Sequence, residues 1–342
     1  MNERQIGAKV SLAVKYRPKC WEDVTEQSVV KDILENQVRT KTVQSAYLFT
    51  GPSGTGKTTS ARIFANMIND GKGNPIEVDA ASNSGVDNIR QIIEDAKRKP
   101  LDAEYKIFIV DECHSLSDSS WQALLKTLEE PPKFTIFIFC TTNPEKIPAT
   151  ILSRVQRYNF QKISQKGIFN RLCNIMAMEH YPEPDMDAIE YIAKVSSGGM
   201  RNAITLMDKC LSLSSDLTLE NVLKTTGGED YSTFITFLSA LEKKEKEVSI
   251  KVVEDVYNAG KDVKQFMKDF AKFILEVEKY TIYGNFDYVN LPNTLESSLE
   301  QLNSVDLFNV MDFVVSLNNQ IKWENDARTL IELSILIYCG KE

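Results

Sequence analysis

The first half of the chain alternates short apolar runs with segments whose apolar residues recur at helical spacing. Runs at residues 106–110 and 135–140 are rich in Ile, Phe and Val, which is typical of parallel strands buried on both faces. The run at residues 47–50 also predicts a strand. Residues 75–79 predict one more short strand. Strands that alternate with helices predict a doubly wound α/β domain with a parallel sheet.

Helical patterns fill the intervals between these runs. Residues 23–38 predict the first helix, and residues 84–87, Ser-Gly-Val-Asp, resemble a capping box before a later one. Two further apolar faces keep helical spacing, the second ended by Pro131 and Pro132: Ile89, Ile92, Ile93 and Ala96, then Trp121, Leu124, Leu125 and Leu128.

Beyond about residue 162 the chain predicts helices alone. Residues 165–227 predict several helices with a break at Gly198 and Gly199. One later helix has a long apolar face, formed by Leu307, Val310, Met311, Val314, Leu317 and Ile321. Residues 327–339 are apolar over most of the helix circumference, which places that helix either inside a core or against other subunits.

Composition narrows the class of protein. The 342 residues suit two or three domains, and a 42% hydrophobic and 26% charged composition is ordinary for a globular protein. The net charge of −8 argues against a protein that binds nucleic acid over its whole surface, but it does not exclude a local basic groove. We expect a cytoplasmic protein without a membrane partner, because no signal peptide or bilayer-spanning run is seen. The six scattered cysteines suggest neither a zinc site nor a disulfide framework.

The octapeptide GPSGTGKT at residues 51–58 lies between a predicted strand and a predicted helix. It has the G-x-x-x-x-G-K-T pattern of the phosphate-binding P-loop. Its glycines admit phosphate oxygens close to the backbone, Lys57 supplies positive charge, and the Thr58 hydroxyl suits Mg²⁺. The predicted nucleotide-binding residues here are Gly51, Pro52, Ser53, Gly54, Thr55, Gly56, Lys57, Thr58 and Thr59.

Two acids follow the predicted strand at residues 106–110. Asp111 is expected to hold Mg²⁺, and Glu112 to polarise the attacking water as a general base. For the neighbouring His114 we expect a local structural role, because P-loop chemistry needs no histidine. Together with the P-loop, the two acids predict a site that hydrolyses a nucleoside triphosphate.

Later polar residues are weaker candidates when taken alone. Thr142 and Asn143 follow the strand at residues 135–140, where a polar side chain can sense the nucleotide, although Asn143 before Pro144 suits an ordinary turn. Arg154 and Arg201 can stabilise charge on a γ-phosphate. Spacing alone does not separate such arginines from surface arginines.

Several motifs occur together as they do in one family. They are YRP at residues 16–18, the P-loop, EVDAASN at 77–83, DECH at 111–114, ALLKTLEEPP at 123–132 and PATILSR at 148–154. Together they resemble the gamma/tau subunit of the bacterial DNA polymerase III clamp loader, an AAA+ ATPase. The resemblance is dense over residues 13–210 and looser to the end, where residues 325–336 resemble the last collar helix.

The resemblance implies an AAA+ ATPase core at residues 1–163, a small helical lid at 164–227 and a helical collar at 228–342. It implies ATP and Mg²⁺ as cofactors and a pentamer of clamp-loader subunits. That pentamer would open a sliding clamp and fit it to primer-template DNA without reading its sequence. Polymerase and a single-strand-binding protein are further implied partners.

Site roles follow from the resemblance by position. Thr142 matches sensor 1, Arg201 matches sensor 2, and Arg154 matches the arginine finger that acts on a neighbour's ATP. Ala13 and Arg17 match the segment that borders the adenine. These matches add Thr142, Arg154 and Arg201 to Lys57, Asp111 and Glu112 as expected catalytic residues.

The chain departs from the family pattern in four places. Residues 69–75 form a polar loop without cysteine where the family carries a zinc module, so no zinc is predicted. Val155 stands for the family's Cys after Arg154, and Asn202 for the Asp after Arg201. The tau tail is also missing, so we expect a short, phage-encoded or divergent form.

DNA contacts and other functions remain open. Candidate DNA contacts are the segment 82–90 with Arg90, together with Lys126, Lys97, Arg98 and Lys99, although residues 97–99 also suit the positive end of a helix. The alternatives are another AAA+ DNA motor such as a branch-migration motor, a structural loader subunit with little hydrolysis, and a small-molecule kinase. The ALLKTLEEPP stretch and collar helices argue against the motor and the kinase, and the intact P-loop and acids argue against the structural subunit.

Overall fold

The computed structural model describes residues 10–226, 231–286, 288–302 and 307–340. The chain divides into two compact units. The first comprises the described residues up to Tyr181 together with Ile192–Asp208, and the second comprises Pro182–Tyr191 and the described residues from Lys209 onward. The three-domain division stays a prediction, and its boundary at residues 227 and 228 lies outside the described residues.

A parallel sheet forms the centre of the first unit. Its five strands within the described residues are β1 (Ala46–Thr50), β2 (Ile76–Asp79), β3 (Lys106–Asp111), β4 (Thr135–Thr141) and β5 (Gln156–Asn159). They lie in the order β2-β3-β4-β1-β5, and every neighbouring pair is parallel. The predicted α/β fold is confirmed, and four of the strands lie where the apolar runs predicted them.

Strand β5 is the one that the apolar pattern did not predict. Its sequence, Gln-Arg-Tyr-Asn, has a single buried side chain, that of Tyr158. Among the strands that the structure describes, it lies at the edge of the sheet and has β1 as its one neighbour. An edge strand needs no apolar run, because one of its sides and part of its faces meet water.

Alternate side chains of the strands face two separate cores. Tyr47, Phe49, Ile107 and Ile109 pack on one face of the sheet, in a cluster with Leu34 and Phe64. Leu48, Phe108, Val110 and Phe137 pack on the other face, in a cluster with Ile89 and Trp121. The two-residue period of a strand therefore explains why its central runs are apolar throughout.

The helices of the first unit connect the strands. They are α1 (Leu12–Lys15), α2 (Ser28–Thr40), α3 (Lys57–Ile68), α4 (Val86–Ala96), α5 (Asp118–Glu129), α6 (Ala149–Leu152) and α7 (Gln165–Met178). The expected start of the first long helix at residue 23 is wrong, because α2 begins at Ser28 after a 3₁₀ turn, Trp21–Asp23. The capping box is also wrong: Gly85 is the N-cap of α4 and no side chain caps it. The Ser84 carbonyl instead accepts hydrogen bonds from Ser117 and Ser120.

Two helices, α8 (Met186–Val195) and α9 (Met200–Leu213), contain residues of both units. The second unit then continues with α10 (Leu219–Thr226), α11 (Tyr231–Glu242), α12 (Lys246–Asn258), α13 (Val263–Tyr283), α14 (Glu296–Leu302), α15 (Phe308–Ile321) and α16 (Ala327–Gly340). No helix in the part of the chain that the structure describes is long and apolar enough to cross a membrane.

One core holds the second unit together. Phe237, Phe270, Val314, Ile331 and Ile335 are among its buried residues. The predicted apolar face of α15 packs into this core, with Met311 only partly buried. Helix α16 buries one stripe there, but Leu333, Leu336 and Ile337 on its other side are exposed.

Replacing Phe137 with Ala tests the packing of the sheet. Its ring is fully buried and stacks on Phe108 with 5.2 Å between the ring centroids. We expect Phe137→Ala to lower the free energy of unfolding by about 3–5 kcal/mol, because a buried aromatic ring leaves a cavity. Urea unfolding measures this, with Leu101→Ala as the control because Leu101 is fully exposed. Equal losses in the two variants would contradict the assignment of the core.

Candidate functional site

The P-loop lies between β1 and α3, as its sequence context predicted. Gly51 has φ +143°, and a Cβ there would lie 2.3 Å from the carbonyl oxygen of Phe160. Gly56 has φ +101° and is the N-cap of α3. A positive φ disfavours any residue with a Cβ at these two positions. Because glycine has no side chain, an anion can approach the loop backbone and the first turn of α3 closely.

Lys57 is buried at the start of α3. Its Nζ donates to the carbonyl oxygens of Gly51 and Pro52, at 2.8 Å each. Burial lowers the pKa of this amine, while Cys140, Glu112 and Asp111 act in the opposite direction. The Lys57 amine therefore lies over the loop, where burial of its positive charge costs desolvation energy. An anion bound in the loop would offset that cost.

Thr58 and Asp111 come together although they are far apart in sequence. The Thr58 hydroxyl donates to Asp111 Oδ2 at 2.8 Å, and Asp111 Oδ1 accepts the N–H of Glu112 at 3.0 Å. A hydroxyl and a carboxylate are oxygen ligands of the kind that Mg²⁺ prefers. The donor set therefore fits Mg²⁺, and these two residues are the ones that would hold it.

Glu112 has an unusual backbone. Its φ of +46° places it in the left-handed region, which costs a non-glycine residue ~1–3 kcal/mol. Thr142, at the end of β4, donates from Oγ1 to Glu112 Oε2 at 3.3 Å. The expected sensor and the expected base are therefore in contact.

A cavity in the first unit contains most of the predicted site residues. Its lining includes Ala13, Arg17, Ser53, Gly54, Thr55, Gly56, Lys57, Thr58, Thr59, Asp111, Glu112 and Arg201. Gly51, Pro52 and Thr142 adjoin it through their contacts with Lys57 and Glu112. The structure thus brings together residues that the sequence places in five separate segments.

Positive charge converges on this cavity. Burial, followed by the like charges of Arg62 and Arg201, lowers the pKa of Arg17. Arg171, which the sequence analysis did not predict, also lines the cavity and donates to the carbonyl of Tyr16 at 3.3 Å. The cavity therefore suits a ligand with several negative charges.

Other lining residues that were missed come from the N-terminal segment and the helical end of the unit. They are Tyr16, Pro18, Asp23, Val24, Thr25, Ile163, Met200 and Ile204. The YRP motif is the one sequence signal that covers any of them. The rest are ordinary residue types that only the fold brings to the cavity.

Two consecutive left-handed residues, Glu26 and Gln27, hold this part of the cavity wall. The Gln27 amide donates to the Gln161 carbonyl at 2.8 Å and accepts the Gln161 N–H at 3.1 Å. Glu26 accepts the N–H and the hydroxyl of Ser164, which is the N-cap of α7. The N-terminal segment is thereby fastened to the chain on either side of Ile163.

Arg154 lies outside the cavity. Its guanidinium pairs with Glu129 at 2.5 Å and donates to the Thr150 carbonyl at 2.6 Å. The candidate DNA-contacting residues also lie elsewhere: Arg90 and Lys97 form ion pairs with Asp87 and Glu94, and residues 97–99 follow directly after α4 ends. Their roles stay predictions. No cluster of three or more His, Cys, Asp or Glu side chains that could hold a metal occurs in the described ranges, and the absence of zinc also stays a prediction.

The P-loop, the acidic pair and the sheet order define the class: the first unit has the fold of an AAA+ P-loop NTPase core. The solved RuvB Holliday junction branch migration motor of Thermotoga maritima is similar, with a TM-score of 0.52 over 66% of this chain and 79% of that chain. Sequence identity in that comparison is 22%, so the likeness concerns the fold alone.

By sequence the chain is related to the gamma/tau subunits of bacterial DNA polymerase III, which confirms the resemblance that the motifs indicated. It is 34% identical to the Bacillus subtilis tau subunit, over 95% of this chain and 62% of that protein. It is 32% identical to the Mycoplasma genitalium gamma/tau subunit, over 84% of this chain and 52% of that protein. The chain therefore spans about half to two thirds of the length of these relatives. A family model described as "DNA polymerase III, delta subunit" matches residues 74–164.

Substitution of Lys57 is expected to weaken the binding of ATP while it stabilises the fold. Lys57→Met should weaken ATP binding roughly 100-fold, since hydrogen bonds to a charged group contribute ~1.5–3 kcal/mol each. The same change should raise the melting temperature at neutral pH. Burial lowers the folded-state pKa of Lys57, so its charged form destabilises the fold below that pKa and ceases to do so above the unfolded-state value.

Titration with a fluorescent ATP analogue and thermal unfolding measure the two effects. Gly51 is partly exposed and Pro52 is exposed, and we expect water to replace the lost amine at their carbonyls. Lys72→Met is the matched control, because Lys72 is exposed. Unchanged affinity, or a lower melting temperature than the control, would contradict the assigned position of Lys57.

Proposed function

We propose that this chain is an ATP-driven motor subunit of a clamp loader, which acts in a pentamer to open a sliding clamp and load it on primed DNA. The observation that carries the proposal is the joint presence of Lys57, Thr58, Asp111, Glu112 and Arg201 around one cavity. The sequence relation to gamma/tau subunits, over 95% of the chain in the Bacillus subtilis comparison, supports the assignment to DNA replication. Free thiols at all six cysteines accord with a cytoplasmic location.

Binding is the first part of the mechanism. The backbone of the P-loop, the N-terminus of α3 and Lys57 would bind the phosphates of ATP. Arg17 and Arg201 add positive charge from the N-terminal segment and from α9. Thr58 and Asp111 are the residues that would hold Mg²⁺, which would neutralise phosphate charge when bound.

Hydrolysis would depend on Glu112. A carboxylate at this position can accept the proton of a water molecule as that water attacks the γ-phosphate. Thr142 holds one oxygen of this carboxylate and links its position to the end of β4. If Thr142 senses the nucleotide, a change in the nucleotide would also change the orientation of the Glu112 carboxylate.

A further positive charge at the γ-phosphate would come from a neighbouring subunit. Arg154 lies outside the cavity of its own chain, and its side chain is about one-third exposed. In a ring, an arginine in that position can reach the γ-phosphate that the next subunit holds. We propose that each hydrolytic site is completed in this way, with the second unit providing the contacts of the collar.

The alternatives explain less of the molecule. A branch-migration motor shares the fold of the first unit, but that likeness covers 66% of the chain at 22% identity. A loader subunit without hydrolysis would not need both acids, and Asp111 and Glu112 are both in place at the cavity. Candidate DNA contacts at residues 82–90, Lys126 and residues 97–99 remain part of the proposal.

ATPase assays on the assembled complex test the proposal as a whole. The complex is reconstituted with the partner subunits, and its turnover is measured with and without the cognate sliding clamp and primed DNA. Clamp and DNA together should raise the rate, because contact with DNA is expected to trigger hydrolysis. If neither the clamp nor primed DNA changes the rate of ATP hydrolysis, the clamp-loader assignment is wrong and the protein is an ATPase of another kind.

Arg154→Ala tests the contribution of the neighbouring subunit. We expect ATP affinity to stay within about twofold while hydrolysis at the adjoining site falls by about 10³-fold, as for other arginine fingers. Arg157→Ala is the control, because Arg157 is an exposed arginine on β5. Equal hydrolysis in the two variants would show that Arg154 is not the finger.

A further inference from the structure

A neighbour of the acidic pair, His114, makes two contacts that the chemistry above does not use. It lies in the 3₁₀ turn Cys113–Ser115, directly after Glu112, and its side chain is only 16% exposed. Its Nδ1 lies 3.3 Å from Glu112 Oε2 and 3.0 Å from Thr141 Oγ1. One ring nitrogen therefore lies between the expected general base and the last residue of β4.

The hydrogen-bonding capacity of these groups limits what they can do at one time. Thr141 Oγ1 already accepts the N–H of Asn143 at 3.0 Å, and it can also donate to Nδ1 or accept from it. A neutral imidazole carries its single proton on one of its two nitrogens. With the proton on Nδ1, the ring can donate to Glu112; without it, Nδ1 accepts from Thr141 and Glu112 loses this donor.

We propose that His114 is a positioning residue that ties the Glu112 carboxylate to the end of β4. A movement of Thr141 and Thr142 then changes how the general base is aimed. The inference rests on the proposed function, because Glu112 needs aiming only if it activates water. Without the imidazole, the carboxylate would keep the long hydrogen bond of 3.3 Å from Thr142, and the Glu112 side chain is 40% exposed. Loss of the imidazole would therefore let the carboxylate rotate toward solvent.

Amide substitutions test which ring nitrogen matters. Asn places its amide near the position of Nδ1, whereas Gln places its amide near that of Nε2. In the assembled complex we expect His114→Gln and His114→Ala to lower kcat roughly 10- to 100-fold, since small misplacements of a catalytic group have effects of that size. His114→Asn should retain most of kcat, and the affinity for ATP should be unchanged in all three. Equal kcat for the Asn and Gln variants would overturn the inference.

A second measurement does not depend on activity. The chain has two histidines, His114 and His180, so their ring nitrogens can be assigned by NMR with His180→Gln. Thr141→Val removes the hydroxyl beside Nδ1 and should shift the ¹⁵N resonances of His114 but not those of His180. Unchanged His114 resonances in a Thr141→Val protein that unfolds at the wild-type temperature would overturn the coupling.

Glu112→Gln separates this inference from the function it rests on. If Glu112→Gln keeps wild-type turnover, the assignment of the general base fails, and the role of His114 fails with it. If Glu112→Gln is inactive while all three His114 variants keep wild-type kcat, the proposed function stands and only the positioning role is wrong.

Discussion

The whole site depends on three parallel strands, β1, β4 and β3, that end at one edge of the sheet. Strand β4 lies between the other two and pairs with both, Thr50 facing Thr141 and Val110 facing Phe139. This register lets the Thr58 hydroxyl reach Asp111 at 2.8 Å, although Thr58 follows β1 and Asp111 ends β3, which are not neighbouring strands. A slip of one residue would turn the apolar side chains of a strand to the opposite face, so the two cores that fix the sheet also fix the site.

Within the first unit, groups that cost stability are concentrated at the same edge. Lys57 is a buried amine with a lowered pKa, and the pKa of Arg17 is lowered by burial and by like charges. Glu112 keeps a left-handed backbone that its side chain does not favour. A strained backbone of this kind persists where the surrounding structure fixes it. The packed clusters on both faces of the sheet supply that constraint. A polyanion bound in the cavity would offset the electrostatic part of this cost.

Much of the first unit could be predicted from local signals. The apolar runs predicted four of the strands, and the P-loop and acidic pair predicted the residues that contact each other at the cavity edge. Prediction failed where a residue's role depends on distant parts of the chain. Strand β5 has a single buried side chain, and Ser84 is engaged by Ser117 and Ser120 rather than by α4. The Gln27–Gln161 hydrogen bonds join residues that no motif connects.

The sequence by itself determined the class of chemistry, because glycines, a lysine, a threonine and two acids in fixed local patterns have few other uses. It also indicated the relation to gamma/tau subunits, through motifs such as ALLKTLEEPP that a general nucleotide site does not need. The tertiary structure decided which residues complete the cavity: Arg171, Ile163 and Ile204 reach it through packing, which no local pattern encodes. It also placed His114 between Glu112 and Thr141, because a hydrogen bond depends on distances in space and not on separation along the chain.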